Sequence, residues 1–149
     1  MDAEQDRVAV VRLQRFEERG GPWAINDVEV RASIRHQHPV ETYGVRIEHG
    51  GRSLAYSADT APCDTLLRLA EGADAFLCEA SYMASEENPP GIHMTGRDAG
   101  EAATKAGVGR LLLTHLVHAW GSEIATFDEA TSAYAGPIDV VRPGSRYEI

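Results

Sequence analysis

The period of the apolar residues changes once along this chain, near Ser57, and that change limits the folds open to it. Before Ser57 apolar residues recur every second position. Val28-Glu29-Val30-Arg31-Ala32-Ser33-Ile34 alternates, and so does Gly44-Val45-Arg46-Ile47-Glu48, which meets Arg52-Ser53-Leu54-Ala55-Tyr56-Ser57 across His49-Gly50-Gly51. A period of two marks strands with one wet face, and paired glycines permit the positive φ of a tight hairpin. Arg7 to Leu13 alternates less regularly, with Gly20-Gly21-Pro22 and Asn26-Asp27 as turn signals after it. The first third of the chain predicts antiparallel β structure.

After Ser57, helical spacing alternates with short buried runs. Pro62 to Glu71 carries Leu66, Leu67, Leu69 and Ala70 on a helical period and stops at Gly72, which suits a left-handed cap. Ala75-Phe-Leu-Cys-Glu79 reads as a buried strand. Thr95-Gly-Arg-Asp98 has the form of a capping box, and Ala99, Ala102, Ala103 and Ala106 follow at i, i+3, i+4 and i+7, closed by Gly107. Arg110-Leu-Leu-Leu-Thr114 is the next strand. Thr126-Phe-Asp-Glu129 has the form of a second capping box, predicting a helix from there to Gly136-Pro137, and Ile138-Asp-Val-Val141 closes as a strand. Strands alternating with helices imply crossovers and a parallel segment of sheet. The expectation is a mixed α/β fold, antiparallel strands followed by β-α-β units, in a single domain over 1–149.

Composition narrows the function. Fourteen Lys and Arg stand against 23 Asp and Glu, a net charge of -9, which argues against a broad surface that grips nucleic acid through its phosphates. Leu111-Leu112-Leu113 is far short of the roughly 18–20 apolar residues of a membrane span. The acidic start, Met1-Asp2-Ala3-Glu4-Gln5-Asp6, lacks the basic and apolar regions of a signal peptide. Cys63 and Cys78 are expected as two buried thiols in a reducing cytoplasm.

Ligands of open α/β sheets collect beyond the carboxyl ends of the strands. His38, Asp59, Glu79 and His115 fall at such ends, and His93 lies in the loop before the helix capped by Thr95. Imidazole with carboxylate suits Zn, Mn or Fe better than Ca or Mg. Each residue also has a plain structural reading. A strand-end histidine is more often only hydrogen-bonded, Asp59 can cap a helix start, and Glu79 can pair with an arginine. His36, His49 and His118 carry only that reading and are expected at the surface.

The same residues carry a resemblance. Tyr56-Ser57-Ala58-Asp59-Thr60 resembles the Y-S-G-D-T signature of the metallo-β-lactamase superfamily, with Ala58 where glycine is usual. Leu77-Cys78-Glu79-Ala80-Ser81-Tyr82, followed by His93-Met94-Thr95, resembles the H/C-E-A-T and H-S/L-T elements of its ribonuclease Z-like branch. Leu113-Thr114-His115 resembles that branch's late T-H, and His38-Pro39 with Tyr43-Gly44-Val45-Arg46 its mid-chain histidine motif. The motifs occur in order over about residues 36–116. The feel is closest to members described as cyclic-nucleotide phosphodiesterases or metallo-hydrolases.

The resemblance implies a hydrolase with two Zn or Mn ions. His38 would bind one, His115 the other, and Asp59 would bridge them; His93, oriented by Glu79, would donate a proton to the leaving oxygen. It implies a small or cyclic phosphodiester as substrate, since no basic arm for transfer RNA is visible and Leu116-Val117-His118 follows His115. The chain lacks the superfamily's H-x-H-x-D-H; His36-Gln37-His38-Pro39-Val40-Glu41 begins like it but has Val40 and Glu41 where Asp and His are needed. It therefore resembles the C-terminal half of the αββα sandwich. Three of about seven ligands remain, so metal binding by the chain alone is expected to be weak or absent. Val28, Val45 and Leu54 would face a missing partner sheet, implying a homo-oligomer or a complementing N-terminal half. A non-catalytic half-fold, and a hydrolase of thioesters, lactones or sulfate esters, stay open.

Overall fold

The computed structural model describes residues 23–25, 28–117 and 122–149. Seven strands form one sheet: β1 (Trp23–Ile25), β2 (Val28–Arg35), β3 (Tyr43–His49), β4 (Arg52–Tyr56), β5 (Ala75–Glu79), β6 (Leu111–Thr114) and β7 (Ile138–Val140). Their order across the sheet is their order along the chain. β1 to β4 pair antiparallel, whereas β4 to β7 pair parallel. The period change at Ser57 marks that switch, because parallel neighbours need crossovers. The crossovers are α1 (Asp64–Ala70), α2 (Gly96–Ala106) and α3 (Ser122–Thr131). Residues of all three helices join one core on the same face of the sheet. No described helix is long and apolar enough to cross a membrane.

The register sorts the two faces. Ala55, Phe76, Cys78, Leu111 and Leu113 share the helix face and join Leu66, Leu69, Met94, Ala99, Ala103 and Ala130 in one buried core. Val45, Ile47, Leu54, Tyr56, Leu77 and Leu112 share the opposite face. Tyr56 there is 37% exposed, and no described helix lies over it. The expectation for Val45 and Leu54 agrees with this register. Val28 belongs to β2, whose side chains lie outside the described ones, as do Arg7–Leu13, both early turns and His118.

The predicted caps of α2 are present. Thr95 Oγ1 accepts from Asp98 N at 3.1 Å, the Asp98 carboxylate accepts from Thr95 N at 2.9 Å, and Gly107 closes the helix at φ 65°. Gly72, at φ 60°, follows the end of α1. The second capping box is a correction. α3 begins at Ser122 and ends at Thr131, so Thr126 lies inside it, fully buried. Its backbone packs on α2, where a Cβ on Gly96 would stand 2.3 Å from Thr126 O and one on Gly100 2.5 Å from Ala130 O. The S/T-x-x-E pattern marked a helix–helix contact here, and Gly96-x-x-x-Gly100 supplies its other side.

His36 is the second correction: it is buried at 5% exposure, not on the surface. Its Nδ1 lies 3.0 Å from Thr65 Oγ1, and its Nε2 presses on Gly44, where a Cβ would come within 2.1 Å. Antiparallel pairing of Ile34 with Gly44 carries His36 inward beside α1, a non-local event that no spacing reports. Cys78 is buried as expected, while Cys63 at the start of α1 is half-buried.

Candidate metal and acid–base site

Two loops bring His38 and Asp59 together. Ala61 N donates to Gln37 O at 2.9 Å, and Thr42 Oγ1 donates to Asp59 O at 2.9 Å, tying the turn after β2 to the turn after β4. The chain reverses after β4 through Ala58, whose φ of 51° is left-handed, while Ser57 Oγ accepts from Glu79 N at 2.9 Å. Left-handed φ costs an L-residue roughly 1–2 kcal/mol, so the ladder bonds around Ala58 hold it there. His115, directly after β6, is likewise left-handed at φ 54°.

All five predicted residues meet at this rim. His115 Nδ1 is 3.3 Å from Asp59 Oδ1. The His93 ring lies between the others, 5.3 Å from the His38 centroid and 5.3 Å from that of His115. Ligand atoms of His38, Asp59 and His93 lie within 4.8 Å of one another, as do those of Glu79, His93 and His115. Nitrogen and carboxylate donors at these separations fit a divalent transition cation. His93 belongs to both groups; a ring nitrogen that holds a cation cannot also deliver a proton.

Glu79 is 1% exposed and anchors the cluster. Its Oε1 accepts from Thr60 N at 2.5 Å and from His93 Nδ1 at 2.9 Å, and its Oε2 accepts from Ser81 Oγ at 2.7 Å. Among the described residues its partners are an amide, an imidazole and a hydroxyl, and the arginine of the plain reading is not among them. With Nδ1 donating to Glu79, His93 presents Nε2 to the cleft. Tyr82 stands edge-on to His93 at 5.2 Å. Burial, then the charges of Asp59 and Glu79, raise the Tyr56 hydroxyl above its ordinary pKa of 10.0.

Sequence reasoning missed Thr60, Ser81 and Tyr82. Two of them act through a backbone amide or a hydroxyl, which residue type does not single out. It also missed the neighbouring thiol. Burial raises Cys63, but hydrogen bonds from His36, Thr65, the Gln37 backbone and Thr60 outweigh it and draw the thiol down to about 5. Thr65 Oγ1 is 3.1 Å from Cys63 Sγ.

Residues 2–116 match the family model described as beta-lactamase superfamily domain. The uncharacterized protein ML1173 of Mycobacterium leprae is 47% identical over 113 residues, covering 75% of this chain and 39% of that protein. The probable metallo-hydrolase YhfI of Bacillus subtilis is 32% identical over 111 residues, covering 74% and 45%. Its crystal structure, of a metallo-beta-lactamase fold protein, superposes with a TM-score of 0.79 over 87% of this chain and 53% of that one, at 29% identity. A ribonuclease Z of Mycolicibacterium gilvum is 39% identical over 107 residues, covering 66% and 37%. The chain spans less than half the length of these curated relatives.

Proposed function

This chain belongs to the beta-lactamase superfamily, and from that premise we propose that it carries part of the site of a metal-dependent hydrolase, a phosphodiesterase acting on a small or cyclic phosphodiester. The observation that supports this most is the meeting of His38, Asp59, Glu79, His93 and His115 at one rim. His38, Asp59 and His115 are the residues that would hold the Zn or Mn ions, with Asp59 able to serve both through its two carboxylate oxygens. When bound, such cations act as Lewis acids and lower the pKa of water. His93 holds the proton for the leaving oxygen at Nε2, because Glu79 occupies its Nδ1. The ribonuclease Z relative supports phosphorus chemistry, and the net charge of -9 favours a small diester over a long nucleic acid.

Residues 1–149 act as one unit in this reading, in the cytoplasm, where Cys63 and Cys78 stay free. The remaining ligands come from a complementing segment that bears H-x-H-x-D-H, seated on the sheet face of Val45, Ile47, Leu54, Tyr56 and Leu77. Apolar area is worth roughly 25 cal/mol per Å² when buried, so a second sheet is the natural cover for that face.

The test mixes the purified chain with such a segment. Alone, the chain is expected to carry less than one equivalent of Zn or Mn and to leave bis-p-nitrophenyl phosphate intact. With the segment, cleavage appears, and Asp59→Ala abolishes it. Robust turnover by the chain alone, lost in His115→Ala, overturns the shared-site reading. No gain on mixing favours a non-catalytic half-fold.

A further inference from the structure

A hydroxyl that the proposed chemistry does not use joins the two histidines on either side of the cleft. Ser81 is 3% exposed, and its Oγ stands 2.7 Å from Glu79 Oε2, 2.9 Å from His115 Nδ1 and 3.0 Å from His115 O. With the bond from His93 Nδ1 to Glu79 Oε1, this makes an unbroken path: His115, Ser81, Glu79, His93.

The direction of every link follows from what each group can do. An ionised carboxylate only accepts, and bonds to it are about twice as strong as neutral ones. Ser81 has one proton, so it gives it to Glu79 Oε2 in preference to the carbonyl of His115. Its lone pairs are then what His115 Nδ1 meets, so Nδ1 must carry hydrogen. Asp59 Oδ1, 3.3 Å from the same nitrogen, is a second acceptor and agrees with that assignment. We propose that Ser81 is a positioning residue: by accepting from His115 Nδ1 while donating to Glu79, it fixes the His115 tautomer with Nε2 bare. A cation needs such a bare nitrogen, and a histidine of the other tautomer would have to exchange its proton before binding. The value of this for catalysis rests on the hydrolase reading; the tautomer itself does not.

The test uses the metal-free chain with 15N-labelled histidine at a pH where imidazole is neutral. Long-range 1H–15N spectra give the protonated nitrogen of each ring. His115 is expected with hydrogen on Nδ1 in the unsubstituted chain and in Ser81→Thr, which keeps the hydroxyl. Ser81→Ala is expected to shift His115 toward the Nε2-protonated form and to weaken zinc affinity of the complemented protein about 10–100-fold, the usual effect of losing an outer partner of a ligand. His115 protonated on Nε2 in the unsubstituted chain, or unchanged His115 nitrogen shifts in Ser81→Ala, overturns the proposal. Should the alanine variant not fold, the unsubstituted spectrum still decides. Absence of zinc binding in every variant sinks the hydrolase reading and leaves the tautomer result standing.

Discussion

Gly100→Ala is predicted to reverse the usual sign of a helix substitution. Inside a helix, alanine is better than glycine by about 0.8–1.0 kcal/mol, so a free α2 would gain stability. In this fold the new Cβ would stand 2.5 Å from Ala130 O, 3.2 Å from Ala130 C and 3.0 Å from Ala133 Cβ. Two of these atoms are α3 backbone, which no rotamer change can withdraw. Restoring ordinary van der Waals separation means moving α3 away by roughly 1 Å, at the overpacking cost of about 1–3 kcal/mol, and it loosens the packing among Ala99, Ala103 and Ala130. The net expectation, overpacking cost less propensity gain, is a loss of about 1 kcal/mol, read as a Tm lower by roughly 2–4 °C for a chain of this length. Thermal unfolding followed by circular dichroism measures it, with Glu101→Ala on the exposed side of α2 as the comparison. A Tm raised by Gly100→Ala would refute the close approach of the two helices.

Two further outcomes follow from the strained and acidic groups. Ala58→Gly relieves a left-handed alanine and should raise stability by up to about 1 kcal/mol in urea unfolding, the gain being offset partly by the freer unfolded glycine; a destabilised variant would contradict φ 51° at this position. Cys63 should be alkylated by iodoacetamide with an inflection near 5, against roughly 8.5 for an ordinary thiol. Its lowered pKa means that the stability it adds grows as pH rises from the folded value to the unfolded one, and disappears as pH falls through about 5. Cys78, fully buried and with its pKa pushed well up by burial, should react only on unfolding; a single inflection near 8.5 for both thiols would refute the Cys63 environment.

What could be read in the sequence was mostly local. The hairpin at Gly50-Gly51, the box at Thr95 and Asp98 and the stop at Gly107 each act within four residues, and all are present. Asp59, Glu79 and His115 could be found because strand ends could be found, and an open sheet gathers its strand ends at one rim. Long-range placement was not legible. Thr126 has the composition of a cap, and only the approach of Gly96 shows that it is a buried contact. His36 turns inward because β2 lies beside Gly44, and Ser81 gains its role because β6 delivers His115 next to it. Neither pairing leaves a mark in the spacing of the residues concerned.

Because neighbouring strands are neighbours in sequence, the gaps between rim residues are measured in strands, not in loop lengths. Asp59, Glu79 and His115 follow or end β4, β5 and β6, whose spacing is set at about 4.8 Å per step by the backbone ladder alone. Insertions in the crossover helices would lengthen the path on the far side of the sheet and leave those steps unchanged. A slip of one residue in β5 is another matter: it would turn Glu79 to the opposite face and strand His93, Thr60 and Ser81 without their common acceptor.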